Sequence, residues 1–220
     1  MSTTPEVLFE DEHLLVLNKP SGLLTEGGAK REDDLEQVAT RHVGKPVFCC
    51  HRLDRLTSGV VLLRKTNRYN AALSAVFESR QVRKLYWALV EGLWPAGLHK
   101  VETRIGPVGN GVWANVKTGG KPAVSSFQVL GRSAELNLSW LSVLLKTGRT
   151  HQARLHCVQG GCPVVGDPLY GSGQPAELFG LHARELRFRH PATEKELSLV
   201  APAPVSWAAT LVQVESQKQI

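Results

Sequence analysis

Short apolar runs closed by turn signals outnumber amphipathic helical stretches along this chain, and the two kinds do not alternate regularly. Val7 to Phe9 and Leu14 to Asn18 are separated by Glu10-Asp11-Glu12, the pattern of a hairpin. Lys19-Pro20-Ser21-Gly22 then breaks the regular structure. Val60 to Leu63 is a continuous apolar strand, and Leu85 to Val90, Phe127 to Leu130 and Leu138 to Leu145 have strand character too. Leu181 to Arg189 and Glu196 to Val200 flank a Pro-Ala-Thr-Glu-Lys turn, a second hairpin. Helical signals are fewer. Asp33-Asp34 supplies an N-cap for a helix ending near His42, with Gly44 as its stop. Asn67 is placed to cap a helix carrying Leu73, Val76 and Phe77, and Thr150 a short one ending at Gly160-Gly161. This order predicts an α+β fold whose mixed, mostly antiparallel central sheet is flanked by helices and loops, not a doubly wound one. Between Gly92 and Lys121 no clear period survives, so loops and short strands are expected there.

The length of 220 residues and 42% hydrophobic content suffice for one domain with a large core, and no linker divides the chain. The expectation is a single domain over residues 1–220. No apolar run approaches the ~20 residues a membrane span needs. The polar, acidic Met1 to Glu12 is not a leader peptide, so a soluble cytoplasmic protein is expected. Cys49, Cys50, Cys157 and Cys162 are then reduced thiols.

Charge is unevenly placed. Residues 1–44 carry four Lys/Arg against nine Asp/Glu, whereas residues 45–90 carry nine against two. A basic middle segment beside an acidic start fits either a polyanion-binding surface or a solvated basic face.

The densest polar cluster is His51-Arg52-Leu53-Asp54-Arg55-Leu56-Thr57-Ser58-Gly59, directly before the apolar strand at Val60. A carboxylate between two arginines, in a loop feeding a buried strand, can serve as nucleophile, base or metal ligand. It can equally do no more than fix a turn. A second cluster, Lys146-Thr147-Gly148-Arg149-Thr150-His151-Gln152-Ala153-Arg154-Leu155-His156, sits where a strand gives way to a helix. Amides and basic side chains converge on anions at such a place, unless the helix start simply faces solvent.

The first cluster resembles the catalytic signature of the RluA family of pseudouridine synthases. Asn18-Lys19-Pro20-Ser21-Gly22 resembles that family's early loop, and Lys84-Leu85-Tyr86-Trp87-Ala88 its Lys-x-Tyr-x-Ala strand. Lys146 to His156 resembles its Thr-Gly-Arg-x-His-Gln-x-Arg-x-His block. Gly166-Asp167-Pro168-Leu169-Tyr170-Gly171 and Leu181-His182-Ala183 complete six motifs in the family's order.

The resemblance implies an enzyme that breaks the N-glycosidic bond of a uridine in RNA, turns the base and rejoins it through carbon 5, without cofactor or metal. Asp54 would be the catalytic carboxylate, attacking ribose or base, or removing a ribose proton. Arg149 would form an ion pair with it. Tyr86 would stack on the base and its hydroxyl take part in late proton removal, and Leu181 would pack on the base's other face. Arg52 would fill the space left by the extruded uridine or act as a second counter-charge to Asp54. Arg55, Lys146 and His151 would also meet substrate. Arg55, Arg64, Lys65, Arg68, Arg80, Arg83 and Lys84 are candidates for phosphate contacts. The implied partner is tRNA, rRNA or both, with no membrane, no obligate protein partner and a monomeric state. The strand at Val7 leaves no room for the N-terminal S4-type RNA-binding domain of many relatives.

Two rivals have their own signatures. A non-catalytic RNA-binding protein on this fold is expected to lose Asp54, Tyr86 or Arg149, and all three are present. A metal-dependent hydrolase would use Asp54 and Asp167 with histidines. Yet no Cys-x-x-Cys occurs, and His151 and His156 are five residues apart rather than the four that share a helix face. Asp167 is better read as a turn residue, and the histidines as orienting loops or lining the core.

Overall fold

The structure, a computed structural model, describes residues 5–27, 33–79, 81–173 and 176–215. In chain order its elements are β1 (Glu6–Glu10), β2 (Leu14–Lys19), α1 (Leu35–Val43), β3 (Phe48–Cys49), β4 (Ser58–Arg64), α2 (Asn70–Glu78), β5 (Arg83–Glu91) and β6 (Lys100–Gly109). They continue with β7 (Val112–Asn115), β8 (Lys121–Ser133), β9 (Leu138–Leu145), α3 (Gln152–Gln159), β10 (Leu181–Arg189), β11 (Glu196–Val200), a 3-10 turn (Val205–Trp207) and α4 (Ala208–Glu215). This is the α+β architecture that the unequal, unalternated strand and helix signals imply. By packing, the chain divides into two compact units: Met1–Lys84 with Ala183–Pro202, and Leu85–His182 with Ala203–Ile220. No helix among the described residues is long and apolar enough to cross a membrane.

In the first unit β1 runs antiparallel to β2, β2 to β4, and β10 to β11, with β10 beside β4. β2 and β4 are buried on both faces, whereas β11 and the latter part of β10 alternate between core and surface. Leu14 and Val16, Val60 and Leu62, Leu186 and Phe188, and Leu199 form one core cluster with Leu73 of α2, flanked by Val76 and Phe77. The opposite faces of β10 and β11 carry charge. Arg187 stands across from Ser198, and Arg189 across from Glu196. Helix α1 begins as its sequence dictates: the Asp34 carboxylate accepts from the Gln37 amide at 2.9 Å, and Gly44 closes it in the left-handed region. The cap expected of Asn67 does not form. Its side-chain oxygen is taken by the Arg64 guanidinium, and α2 starts three residues later without a side-chain cap.

The second unit orders its strands β5-β9-β8-β6-β7, with β8 antiparallel to both β9 and β6. The stretch expected to be loops and short strands instead holds the ten-residue β6 and the start of the thirteen-residue β8. Glycine and proline hide the strand period there, while cross-strand pairing of Val101 with Ser125 and Ile105 with Lys121 supplies the order. The β6–β7 hairpin turns on Asn110 and Gly111, both at positive φ, as a tight two-residue turn demands. Thr150 does not cap α3; His151, in the left-handed region, precedes it with no side-chain cap bond. Helix α4 lies beyond any signal read from the sequence. Trp207 and Val214 join Leu89 and Trp140 in a core cluster. Gly131 is required there because a side chain would meet the Val214 backbone.

Candidate active site

The loop carrying Asp54 is fastened to the early loop at almost every residue. Lys19, at the end of β2, is fully buried, and its Nζ donates to the carbonyls of Pro20 (3.0 Å), Leu23 (2.7 Å) and Arg55 (3.0 Å). The Gly22 amide donates to the same Arg55 carbonyl at 2.9 Å, and Arg55 Nε returns a bond to the Gly22 carbonyl at 3.0 Å. Gly22 has φ 90°, a conformation that glycine holds without strain. Ser21 Oγ donates to the Leu56 carbonyl at 2.6 Å. The buried Thr25 hydroxyl donates to the Leu53 carbonyl (2.8 Å) and accepts from the Leu53 amide (3.1 Å). Residues 53, 55 and 56 are therefore all held through their backbones, and the Thr57 amide closes the turn on the Asp54 carbonyl at 3.0 Å. Asp54 is half-buried on a scaffold with little freedom to move.

Both ends of that loop are pinned as well. The Leu62 amide donates to His51 Nε2 at 3.1 Å, and the His51 ring lies against Phe77. Burial, with Lys84 nearby, holds the His51 pKa down to about 3, so the ring is neutral and free to accept that bond. At the other end Gly59, opposite Lys19 in the β2–β4 register, has φ 112°, and a side chain there would run into the Ala183 backbone. Burial pulls the Lys19 pKa down to about 7, while the Asp54 carboxylate opposes the shift. Arg52 is exposed and forms an ion pair with Glu26 at 3.4 Å.

In the second unit the Lys146 to His156 block is a buried polar lattice. Thr147 Oγ1 accepts from the Val124 amide (2.9 Å) and donates to Gln152 Oε1 (2.6 Å), which also accepts from the Arg149 amide (3.0 Å). Gln152 Nε2 donates to the Val124 carbonyl and to Ser125 Oγ, both at 3.0 Å. One buried amide side chain thus fixes the turn that presents Arg149. The Arg149 Nε itself donates to the Pro122 carbonyl at 3.0 Å. His156 bridges Ser125 Oγ (2.8 Å) and Thr103 Oγ1 (2.9 Å), and burial lowers its pKa to about 4. His151 Nδ1 meets the Tyr170 hydroxyl at 2.8 Å, so this predicted substrate contact also has a structural bond.

Asp167 is a turn residue, as its sequence context indicates. Its carboxylate receives Arg154 through Nε and Nη2, both at 2.7 Å, and also accepts the Leu169 and Tyr170 amides. Burial raises its pKa, but the Arg154 bonds outweigh this and leave it below the ordinary value. Among the described residues no three His, Cys, Asp or Glu side chains are grouped to hold a metal ion. All four cysteines are free; burial raises each thiol's pKa, that of Cys50 to about 12. Tyr86 is half-buried on β5, Leu181 is buried at the start of β10, and Lys146 is exposed. Of the phosphate-contact candidates, Arg80 lies outside the described residues.

Comparison with known proteins settles the kinship. The family model described as RNA pseudouridylate synthase matches residues 13–159. The chain belongs to the RNA pseudouridylate synthase family. It is of the RluA type. It is 35% identical over 213 residues to the dual-specificity RNA pseudouridine synthase RluA of Vibrio vulnificus, covering 90% of this chain and 82% of that one. It is 34% identical over 215 residues to the ribosomal large subunit pseudouridine synthase C of Buchnera aphidicola, covering 90% of this chain and 67% of the relative. To the protein of the same name from Vibrio cholerae it is 35% identical over 206 residues, covering 89% and 65%. The chain thus spans about two thirds of the length of the synthase C relatives. The fold agrees: human RNA pseudouridylate synthase domain containing 4 superposes with a TM-score of 0.76 at 26% identity, covering 94% of this chain and 92% of that one.

Within this pseudouridylate synthase, Lys19 and Thr25 hold the Asp54 loop, and Gln152 and Ser125 belong to the lattice behind the Arg149 turn; none of the four had a role assigned from sequence. Lys19 and Gln152 were visible as letters of family motifs. Their work is with backbone groups distant in the chain, which no local pattern encodes.

Proposed function

We propose that this chain converts uridine in RNA to pseudouridine, with Asp54 as the catalytic carboxylate. The observation that carries the reading is the fastening of the Asp54 loop: Lys19, Ser21, Gly22 and Thr25 together hold residues 53, 55 and 56. A carboxylate that only shaped a turn would not need a loop fixed on both sides by buried donors. Positioning of this kind is how an enzyme lowers the entropic cost of attack. Arg149 is the counter-ion of Asp54, Tyr86 and Leu181 sandwich the base, and Arg52, Arg55, Lys146 and His151 meet the RNA. No cofactor or metal takes part. The substrate is rRNA, tRNA or both; the ribosomal large subunit in the name of the synthase C relatives supports rRNA. The protein acts in the cytoplasm as a monomer, its two units serving one catalytic domain.

Asp54→Asn keeps the size and hydrogen-bonding shape of the side chain and removes the charge. It is expected to abolish pseudouridine formation in rRNA and tRNA while RNA affinity stays within a few-fold. Pseudouridine mapping of total RNA from cells with and without the gene identifies the modified site. Wild-type turnover by Asp54→Asn would remove Asp54 from the chemistry.

A further inference from the structure

The first unit carries a groove away from the Asp54 loop. About 520 Å³ in volume, it is lined by Gln81, Arg83, Arg187, Phe188, Arg189 and Glu196. We propose that this groove is a phosphate-binding track for substrate RNA flanking the modified uridine, an inference that rests on the reading of the chain as an RNA-modifying enzyme.

Three observations support it. The first is charge. Among the lining residues three guanidiniums face one carboxylate, Glu196, which is 69% exposed and only 3.8 Å at its nearest from Arg187. Arg83 and Arg189 are exposed and have no carboxylate partner among the described residues. Unpaired arginines at one surface are held at a cost in self-repulsion that an incoming polyanion relieves.

The second is preorganisation. Glu185 holds Arg187 through Nε at 3.1 Å and Nη2 at 3.0 Å, and itself accepts from Ser198 Oγ at 3.1 Å. The central guanidinium of the row is therefore fixed in place, with Nη1 turned toward Glu196. Arg187 is thus a fixed, charge-compensated post between Arg83 and Arg189, and it is their planar guanidiniums that can match phosphate oxygens in pairs, which favours a phosphodiester over an uncharged ligand.

The third is direction. Residues Ala183, Glu185, Arg187 and Arg189 project from one face of β10. At Ala183 that strand abuts Gly59, the second residue of β4, just after the Asp54 loop. From there to Arg189 is six residues of strand, roughly 20 Å. A chain of nucleotides entering the site along β10 would run past Arg187 and reach Arg189 within a few phosphates. Sequence alone put Arg83 among many basic candidates and gave no reason to consider Arg187 or Arg189.

The test measures binding of a fluorescein-labelled, uridine-looped RNA hairpin to the full chain in the Asp54→Asn background, so that turnover does not intervene. Arg83→Ala with Arg189→Ala is expected to weaken binding on the order of tenfold or more. It should also lower the slope of log affinity against log salt by about two. Arg83→Lys with Arg189→Lys should keep the wild-type slope, which separates charge from any change in folding. An alanine pair with unchanged affinity and slope would overturn the groove, and so would a lysine pair that loses slope as the alanine pair does. If the alanine pair loses affinity and slope but the enzyme with Asp54 intact makes no pseudouridine in RNA, the groove stands and the proposed activity falls.

Discussion

Lys19 Nζ donates to the Arg55 carbonyl at 3.0 Å across 36 residues of sequence, joining the end of β2 to the residue after Asp54. The same ammonium satisfies two further carbonyls of its own loop. Three acceptors match the three hydrogens of a charged lysine, so the amine holds the full set only while protonated.

Lys19→Met fills the same space, takes the donor from the Pro20 and Leu23 carbonyls and leaves the Arg55 carbonyl with the Gly22 amide alone. At pH 6, below the Lys19 pKa of about 7, the lost bonds should cost roughly 2–4 kcal/mol, offset in part because the variant no longer buries an ammonium that burial disfavours. Its turnover should fall further than its RNA affinity, because the loop that loosens carries Asp54 but, in Arg52 and Arg55, only part of the RNA-binding set. Denaturant unfolding and single-turnover kinetics at that pH check both; a variant with wild-type stability and rate would show that the three bonds are dispensable.

Acid should unfold the protein through two buried histidines. His51 and His156 have folded pKa values of about 3 and about 4, against an ordinary 6.5. Between these values the unfolded chain takes up a proton at each ring that the folded chain refuses. Their contribution is complete above pH 6.5 and is lost as pH falls toward 4 and then 3, at about 1.4 kcal/mol per pH unit for each ring. Stability measured by denaturant from pH 7 to pH 4 should fall with that slope, and His51→Leu should remove one ring's share of it. A pH profile identical in His51→Leu would mean that the ring titrates normally.

Gln152 acts on Arg149 from behind, and Gln152→Ala frees the Arg149 amide and the Thr147 hydroxyl together, leaving the Val124 carbonyl with the Lys146 amide. Turnover is expected to fall on the order of 10–100-fold through displacement of the Arg149 turn. Gln152→Glu retains the acceptor for the Arg149 amide and should recover part of the rate. Equal losses in the two variants, with matching melting temperatures, would show that Gln152 supports the fold without placing Arg149.

Much of this was legible in the residues themselves. The Asp34 cap and the Gly44 stop of α1 follow from local chemistry, as do the β10 and β11 boundaries, because turn and cap preferences act over a few residues. The six motifs led to the family because their order in the chain is itself informative. What stayed hidden was non-local. The Asn67 cap failed because Arg64 claims its side chain, a competition that helix preferences do not contain. β6 was obscured by glycine and proline, and its order comes from β8, whose pairing begins sixteen residues after Ile105 at Lys121. A lysine read from sequence is taken for a surface cation, so the burial of Lys19 could not be anticipated.

Gly59 lies where β4 passes so near Ala183 that there is no volume for even a methyl group, in a backbone conformation that other residues resist. The final letter of the Asp54 motif is therefore set by crowding, and the Asp itself by chemistry. The two should part company over evolutionary time. A descendant that abandoned the reaction but kept this architecture would be released to replace Asp54 and would still be bound to glycine five positions on.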